Sequence, residues 1–335
     1  MSLIVVATII VVALIFDFFN GFNDAANSIA TIVATKVLTP IRAVLWAAFW
    51  NFVAAFAFGV PVAKTVGGGV VYKELVTPDI VLAGLCGAIL WTVVTSLVGL
   101  PISCSHALIG GFAGAALVAV HMRTGSVCGV LNWQKLDLIA LYIVLSPLLG
   151  MVLGFLNMAI VMRFFRYASP HRIDTWFRRL QLLSAAAYSL GHGTNDAQKT
   201  MGIITILLYS AGMLKTFDVP FWVVLICHAA IAMGTISGGW RVIKTMGISI
   251  TKLKPVGGFC AETAGAATII GASLAGIPVS TTHTITGAIV GVGATHRLSA
   301  VRWGVAGRIV WAWILTMPMS GLVGAGTYVV IHALR

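Results

Sequence analysis

The chain consists of long apolar runs that glycine, proline and charged residues interrupt at intervals. A membrane-spanning helix needs roughly 20 mostly apolar residues, and many of the runs approach or exceed that length. Apolar and polar residues do not alternate as they would in the strands of a membrane barrel, so the pattern predicts helices. The predicted apolar segments are 3–32, 43–62, 80–98, 102–120, 138–163, 182–210, 219–239, 258–275, 278–295 and 303–331.

The composition indicates a protein that crosses the membrane many times. Of the 335 residues, 59% are hydrophobic and 9% are charged, whereas about 25% are charged in soluble domains. Such a chain has too few polar residues to cover a water-soluble fold. Residues 1–16 are apolar but lack the basic start and cleavage site of a signal peptide, so we expect them to begin the first membrane helix. The predicted fold class is an all-α polytopic membrane protein.

The formal net charge of +12 arises from lysines and arginines in the loops between the apolar runs. Cytoplasmic loops of membrane proteins are enriched in these residues, so the charge indicates topology and not a nucleic-acid partner. The linker carries five arginines between Arg163 and Arg179 and is placed in the cytoplasm. Of the 21 Lys and Arg, fourteen then lie inside and six outside, and Lys199 lies within a motif. We therefore expect an inner-membrane protein with both termini outside, and with residues 163–180 and 241–254 inside.

Two motifs occur twice, in the same order, which indicates a duplicated chain. Residues 21–25 (Gly-Phe-Asn-Asp-Ala) match residues 193–197 (Gly-Thr-Asn-Asp-Ala), 172 positions later. Residues 101–106 (Pro-Ile-Ser-Cys-Ser-His) match residues 278–283 (Pro-Val-Ser-Thr-Thr-His), 177 positions later. In the predicted topology each half crosses the membrane an odd number of times, so we expect inverted repeats, as in many secondary transporters. The predicted organisation is a first repeat at 1–165, a basic cytoplasmic linker at 166–180 and a second repeat at 181–335.

Residues 80–120 and 258–295 each contain two apolar runs joined by a Pro-x-Ser motif. We expect re-entrant helical hairpins at these places. Pairs of full spans have the same parity and agree equally well with the charge distribution, so both alternatives stay open.

Four acidic residues lie within apolar segments: Asp17, Asp24, Asp196 and Glu262. Burying an ionisable side chain in a membrane costs at least about 2.5–3.5 kcal/mol. Asp24 and Asp196 occupy equivalent positions of the repeat, which points to function. The structural alternative is an ion pair that holds helices together: Lys199 is close enough in sequence to serve Asp196, whereas Asp24 has no basic neighbour.

The two Asn-Asp motifs combine side-chain oxygens with glycines. Glycine allows a helix to unwind and expose carbonyl and amide groups, so we expect broken helices at both motifs. Carboxylate, amide and carbonyl oxygens are the ligands of hard cations such as sodium. The candidate coupling-ion residues are Asp24, Asn27, Asp196, Asn20 and Gln198, with sodium itself expected at Asp24, Asn27 and Asp196.

The two Pro-x-Ser motifs supply hydrogen-bond donors. Proline favours the first turn of a helix, and two hydroxyls beside free main-chain amides form a cradle for a tetrahedral oxyanion. Packing of Ser and Thr between membrane helices is the structural alternative, and it explains the paired copies less well. The candidate substrate-binding residues are Ser103, Ser105, Ser280, Thr281, Thr282, Asn23, Thr194, Asn195 and Glu262.

These motifs resemble a known family. Residues 21–28 and 191–199 resemble the two signature segments of the PiT family of inorganic phosphate transporters, and residues 258–262 and 278–283 resemble its second-half pattern. The resemblance covers essentially the whole chain. It implies an inverted-repeat fold whose central site imports phosphate by symport with sodium or protons, without a cofactor and without enzymatic activity. By the same resemblance, ion and substrate binding fall to Asp24, Asn23, Asn27, Asp196 and Asn195, and phosphate binding to the hairpin hydroxyls.

Other functions compete with phosphate symport. The family includes sulfate carriers, so a sulfate permease is the nearest alternative. An intramembrane hydrolase is disfavoured because every Ser, His and Asp candidate comes twice, whereas a catalytic triad needs one of each. An anion channel is disfavoured because the buried carboxylates would repel the anion.

Phosphate near pH 7 keeps a hydroxyl that can donate to a carboxylate, and sulfate does not. We therefore expect phosphate and arsenate to be preferred over sulfate, with Glu262 as the acceptor. Membrane lipid and a second copy of the chain, in a homodimer, are the other expected partners.

Overall fold

The computed structural model describes residues 3–57, 59–67 and 70–334, and most of them are helical. Within these ranges the chain forms twelve α-helices, separated by short turns. The helices are α1 (Leu3–Ala34), α2 (Pro40–Val53), α3 (Pro61–Gly67), α4 (Pro78–Val98), α5 (Cys104–Thr124), α6 (Trp133–Phe164), α7 (Pro170–Ser210), α8 (Phe221–Ser237), α9 (Trp240–Ile248), α10 (Pro255–Leu274), α11 (Thr281–His296) and α12 (Trp303–Ala333).

The predicted apolar segments appear as helices, with differences at their ends. In the described part of the chain, α1, α4, α5, α6 and α12 are long and apolar enough to cross a membrane. A sixth candidate is the pair α8 and α9, which bends by 74° at its break. The predicted segment 43–62 is interrupted after Phe56, and α7 begins at Pro170, before the apolar run starts. The all-α membrane fold is therefore confirmed.

The first hairpin consists of α4 and α5, and the second consists of α10 and α11. Their second helices differ in length. The 21 residues of α5 correspond to about 31 Å of helix and the 16 residues of α11 to about 24 Å, against a bilayer core of about 30 Å. Each hairpin turns through a glycine with positive φ, Gly99 at 79° and Gly276 at 70°, and these glycines are 177 positions apart. Re-entrant hairpins and full spans both remain predictions.

The packing between the two halves is reciprocal. α6 of the first half packs on α11 of the second, and α12 packs on α5. In the same way α1 contacts α8 and α9, whereas α7 contacts α2 and α3. Buried apolar side chains in two separate clusters hold these helices together, one around Leu85 and the other around Ile269. The halves are therefore interlocked rather than placed side by side, and their inverted orientation stays a prediction.

The expectation of broken helices at the Asn-Asp motifs is wrong. α1 and α7 continue without interruption through both motifs. Their glycines allow close helix contact instead: a Cβ on Gly21 would lie 2.1 Å from the carbonyl oxygen of Ile231, and one on Gly193 would lie 2.7 Å from that of Asn51. Neither contact is compatible with a side chain, so glycine is required at both positions by the neighbouring backbone.

Candidate functional site

A buried polar cluster forms where α1 and α7 meet the turns of the two hairpins. The hydroxyl of Thr281, at the start of α11, lies 3.0 Å from Asp196 Oδ2 and 3.4 Å from Asp24 Oδ2. His192 Nε2 lies 3.1 Å from Asp196 Oδ2 and 4.0 Å from Asp24 Oδ2. The ligand atoms of the three titratable groups lie within 4.8 Å of one another, close enough to hold a metal ion. The structure thus brings the two repeated aspartates to one place.

The two aspartates have different surroundings. Asp196 forms an ion pair with Lys199, whose Nζ lies 2.5 Å from Oδ1. The same Nζ donates to Ser105 Oγ at 2.5 Å and to the carbonyl of Val279 at 3.0 Å. The ion pair with Lys199 that the sequence suggests is therefore present, and it lies within one helix, α7. Because Lys199 is fully enclosed by acceptors, removal of Asp196 would leave a buried cation without its counter-charge.

Asp24 is held by neutral donors. Asn23 Nδ2 donates to Asp24 Oδ1 at 2.8 Å, and the hydroxyl of Thr282 lies 3.4 Å from the same oxygen. Asn27 Nδ2 donates to the hydroxyls of Thr282 at 2.9 Å and Thr281 at 3.3 Å. Within the described residues, no Lys or Arg forms an ion pair with Asp24. The site therefore combines one carboxylate that has a permanent cationic partner with one that has none.

The hairpin turns present helix N-termini to the cluster. Ser103 caps α5 by accepting from the amide of His106 at 3.3 Å, and Ser280 caps α11 by accepting from the amide of His283 at 3.2 Å. The prolines of the motifs precede the helices instead of occupying their first turn, because the cap residues follow them. The rings of His106 and His283 contact each other, with centroids 4.8 Å apart. The repeated motifs thus meet at the centre of the molecule.

Glu262 lies in a different polar group. Its carboxylate accepts from Thr31 at 2.6 Å, from Gln181 at 2.9 Å and from Ser184 at 2.5 Å. None of these donors belongs to the Asn-Asp or Pro-x-Ser motifs, and no hydrogen bond joins Glu262 to Asp24 in the described part of the chain. Both carboxylate oxygens are occupied by protein donors, so the structure does not bring Glu262 into contact with the central cluster.

Several other candidates have local roles. Gln198 caps α3, because its Oε1 accepts from the amides of Val62 and Ala63 at 2.8 and 3.2 Å. The hydroxyl of Thr194 donates to a carbonyl of its own helix, and Asn195 donates to Ser273. Asn20 Oδ1 is buried and has no hydrogen-bond partner among the residues described. Asn20 therefore keeps a free acceptor that an ion could use.

Two residues of the cluster, His192 and Lys199, are absent from the candidate sets drawn from the sequence. Both lie within the second Asn-Asp segment, and they occupy the positions of Asn20 and Asn27 in the first. The sequence signal that identifies them is thus a break in the repeat: a titratable residue replaces an asparagine at each of two corresponding positions.

The chain is similar to known proteins over nearly its full length. Residues 20–324 match the model of the phosphate transporter family. A protein of Rhizobium meliloti (strain 1021) named "Probable low-affinity inorganic phosphate transporter" is 57% identical over 321 residues, with 96% of this chain and 94% of that one covered. One of Bacillus subtilis (strain 168) with the same name is 42% identical over 342 residues, with 99% of each covered. A solved structure described as "The sodium-dependent phosphate transporter" has a TM-score of 0.89 at 26% identity and covers 99% of this chain and 100% of its own.

These similarities confirm the resemblance to the PiT family and the expectation of a transporter rather than an enzyme. The long apolar helices agree with a multi-pass membrane protein. The chain belongs to the phosphate transporter family.

Proposed function

We propose that this protein imports inorganic phosphate by symport with a cation, through the central site between its two halves. The observation that carries the proposal is the pair of repeated aspartates, Asp24 and Asp196, placed on either side of the Thr281 hydroxyl at the N-terminus of α11. The names of its relatives, which include phosphate transporters and a sodium-dependent one, support both the substrate and the coupling.

The electrostatics of the site favour coupled transport over a channel. Helix N-termini attract an oxyanion, but a carboxylate 4 Å from an anion repels it by about 4 kcal/mol at an effective dielectric constant of 20. A cation bound beside Asp24 offsets this repulsion, because Asp24 has no Lys or Arg partner in the described structure. Anion binding therefore depends on cation binding, which is the requirement for symport.

In this proposal the hydroxyls and amides of the hairpin turns bind phosphate. Ser105, Thr281 and Thr282 lie within hydrogen-bond distance of the two Asn-Asp segments. Ser103 and Ser280 cap the N-termini of α5 and α11. Asp24, rather than Glu262, is the acceptor that we propose for the phosphate hydroxyl, because Asp24 lies beside the hydroxyls of Thr281 and Thr282. The donors to Glu262 are remote from both motifs. A site with such an acceptor favours phosphate and arsenate over sulfate.

The test is uptake of labelled phosphate into proteoliposomes, with sodium and proton gradients imposed separately. We expect uptake that follows one of these gradients and stops when it is collapsed. Uptake that persists without any cation gradient, driven by the anion gradient alone, would contradict symport and indicate a channel. Uptake of labelled sulfate at a higher rate than phosphate would indicate a sulfate permease of the same fold.

A further inference from the structure

One of the differences between the two Asn-Asp segments changes the charge of the site. Residues 23–27 read Asn-Asp-Ala-Ala-Asn, and residues 195–199 read Asn-Asp-Ala-Gln-Lys. Lys199 therefore stands where the first half has Asn27, at the repeat spacing of 172. Both side chains are buried, with 2% and 1% of their surface exposed. An amide in one half is thus replaced by an ammonium group in the other.

The ammonium of Lys199 is surrounded by three oxygens of different kinds, here called the second-half oxygen set. They are the carboxylate Oδ1 of Asp196 at 2.5 Å, the hydroxyl of Ser105 at 2.5 Å and the carbonyl of Val279 at 3.0 Å. Carboxylate, hydroxyl and carbonyl oxygens are hard donors of the kind that bind hard metal cations. Here they surround a cation that is covalently part of the chain.

The first half contains the matching set, here called the first-half oxygen set. Its members are Asp24, Thr282 and the carbonyl of Ile102. In the repeat they correspond to Asp196, Ser105 and Val279, in that order. The hydroxyl of Thr282 lies 3.4 Å from Asp24 Oδ1 and 2.9 Å from the carbonyl oxygen of Ile102. Both halves therefore bring a carboxylate, a hydroxyl and a carbonyl oxygen together. In the second half these oxygens surround an ammonium group, and in the first half they do not.

Asn27 completes the first-half oxygen set. Its Nδ2 donates to Thr282 at 2.9 Å, whereas its Oδ1 is buried and has no hydrogen-bond partner in the described part of the structure. A buried acceptor without a donor carries a desolvation cost, and a cation bound next to Asp24 would remove it. Among the described residues, the first-half set therefore has both a carboxylate without a Lys or Arg partner and an unpaired amide oxygen.

We propose that the ammonium of Lys199 is a tethered cation that permanently fills the second-half oxygen set. A mobile cation then binds only at the first-half set, so the transporter couples phosphate to one cation fewer than its repeat symmetry would allow. This inference rests on the proposed cation symport. It gives each of the two carboxylates a cation: Lys199 pairs with Asp196, and the mobile cation binds at Asp24, which has no Lys or Arg partner in the described structure.

Equilibrium binding of radioactive sodium to the purified full chain tests the proposal. Lys199→Asn restores the asparagine of the first half, so it is expected to bind one sodium ion more per chain than the wild type. Lys215→Asn makes the same chemical change at an exposed position and is expected to bind the wild-type number. An unchanged sodium count in monodisperse Lys199→Asn protein overturns the proposal.

A second variant covers the case in which Lys199→Asn does not fold. Asn27→Lys places an ammonium group in the first-half set, and phosphate uptake is expected to become independent of the cation gradient that drives the wild type. Retained dependence on that gradient overturns the proposal. Wild-type uptake is measured in parallel: its absence would contradict the proposed function, whereas normal wild-type uptake with unaltered variants contradicts only the tethered cation.

Discussion

Thr282 donates a hydrogen bond of 2.9 Å to the carbonyl of Ile102, and this contact joins the turn of the second-half hairpin to that of the first. The two residues lie 180 positions apart in the chain. Ile102 and the Thr282 side chain are both almost fully buried. The hydroxyl also lies 3.4 Å from Asp24 Oδ1, so the hairpin contact and the candidate cation site share one side chain.

Removal of the Thr282 hydroxyl is expected to weaken both the contact between the hairpins and the candidate cation site. Thr282→Val leaves the carbonyl of Ile102 buried without this donor, at a cost of about 1–3 kcal/mol, and takes one oxygen from the first-half set. We expect a lower thermal unfolding temperature and a higher cation concentration for half-maximal phosphate uptake. Thr282→Ser keeps the hydroxyl and is the matched control. Equal cation dependence in the two variants would show that the hydroxyl is not an ion ligand.

Neutralising the aspartates is expected to abolish coupled uptake in both cases, with different effects on stability. Asp196→Asn leaves the buried ammonium of Lys199 unpaired, which typically costs about 3–5 kcal/mol. Asp24→Asn breaks no Lys or Arg ion pair of the described structure, so its unfolding temperature is expected to stay closer to that of the wild type. Thermal unfolding and proteoliposome uptake measure the two effects. Near wild-type uptake by either variant would show that the carboxylate it removes is not required for transport.

The anion preference is expected to depend on Asp24 and not on Glu262. In competition with labelled phosphate, excess arsenate should inhibit uptake by the wild type strongly and sulfate only weakly. Glu262→Gln replaces an acceptor that three protein donors contact, so we expect reduced stability and an unchanged ratio of arsenate to sulfate inhibition. Strong inhibition of the wild type by sulfate, with none by arsenate, would contradict a phosphate site.

The predicted orientation can be tested by thiol labelling. Cys128 is exposed and lies in a loop predicted to be outside, so a membrane-impermeant thiol reagent should label it in intact cells. Arg172, which is also exposed, lies in the predicted cytoplasmic linker. The substitution Arg172→Cys in a Cys128→Ser background should give a protein that reacts only after the cells are opened. Labelling of this double variant in intact cells would reverse the predicted topology.

The sequence predicts which residues supply the chemistry of the site better than it predicts their contacts. Duplication identifies Asp24 and Asp196, because a costly buried charge that occurs at both repeat positions points to function. The role of Gln198 could not be predicted, since its partners at Val62 and Ala63 are brought to it only by the folded chain. The role of Gly21 is not decided by the sequence, because glycine permits helix unwinding and close helix contact alike, and only the position of Ile231 distinguishes the two.

The interlocked packing of the halves has a consequence for biosynthesis. α5 packs on α4 of its own half, but its second-half partner is present only when α12 has been made. Thr124 and Ala333 are 209 residues apart. At translation rates of about 5–20 residues per second, this takes roughly 10–40 s. During that interval the nascent first half exposes helix surfaces that its own residues do not cover, so lipid or the insertion machinery must shield them. A ribosome that stalls between α6 and α7 therefore leaves a chain without the native contacts between its halves.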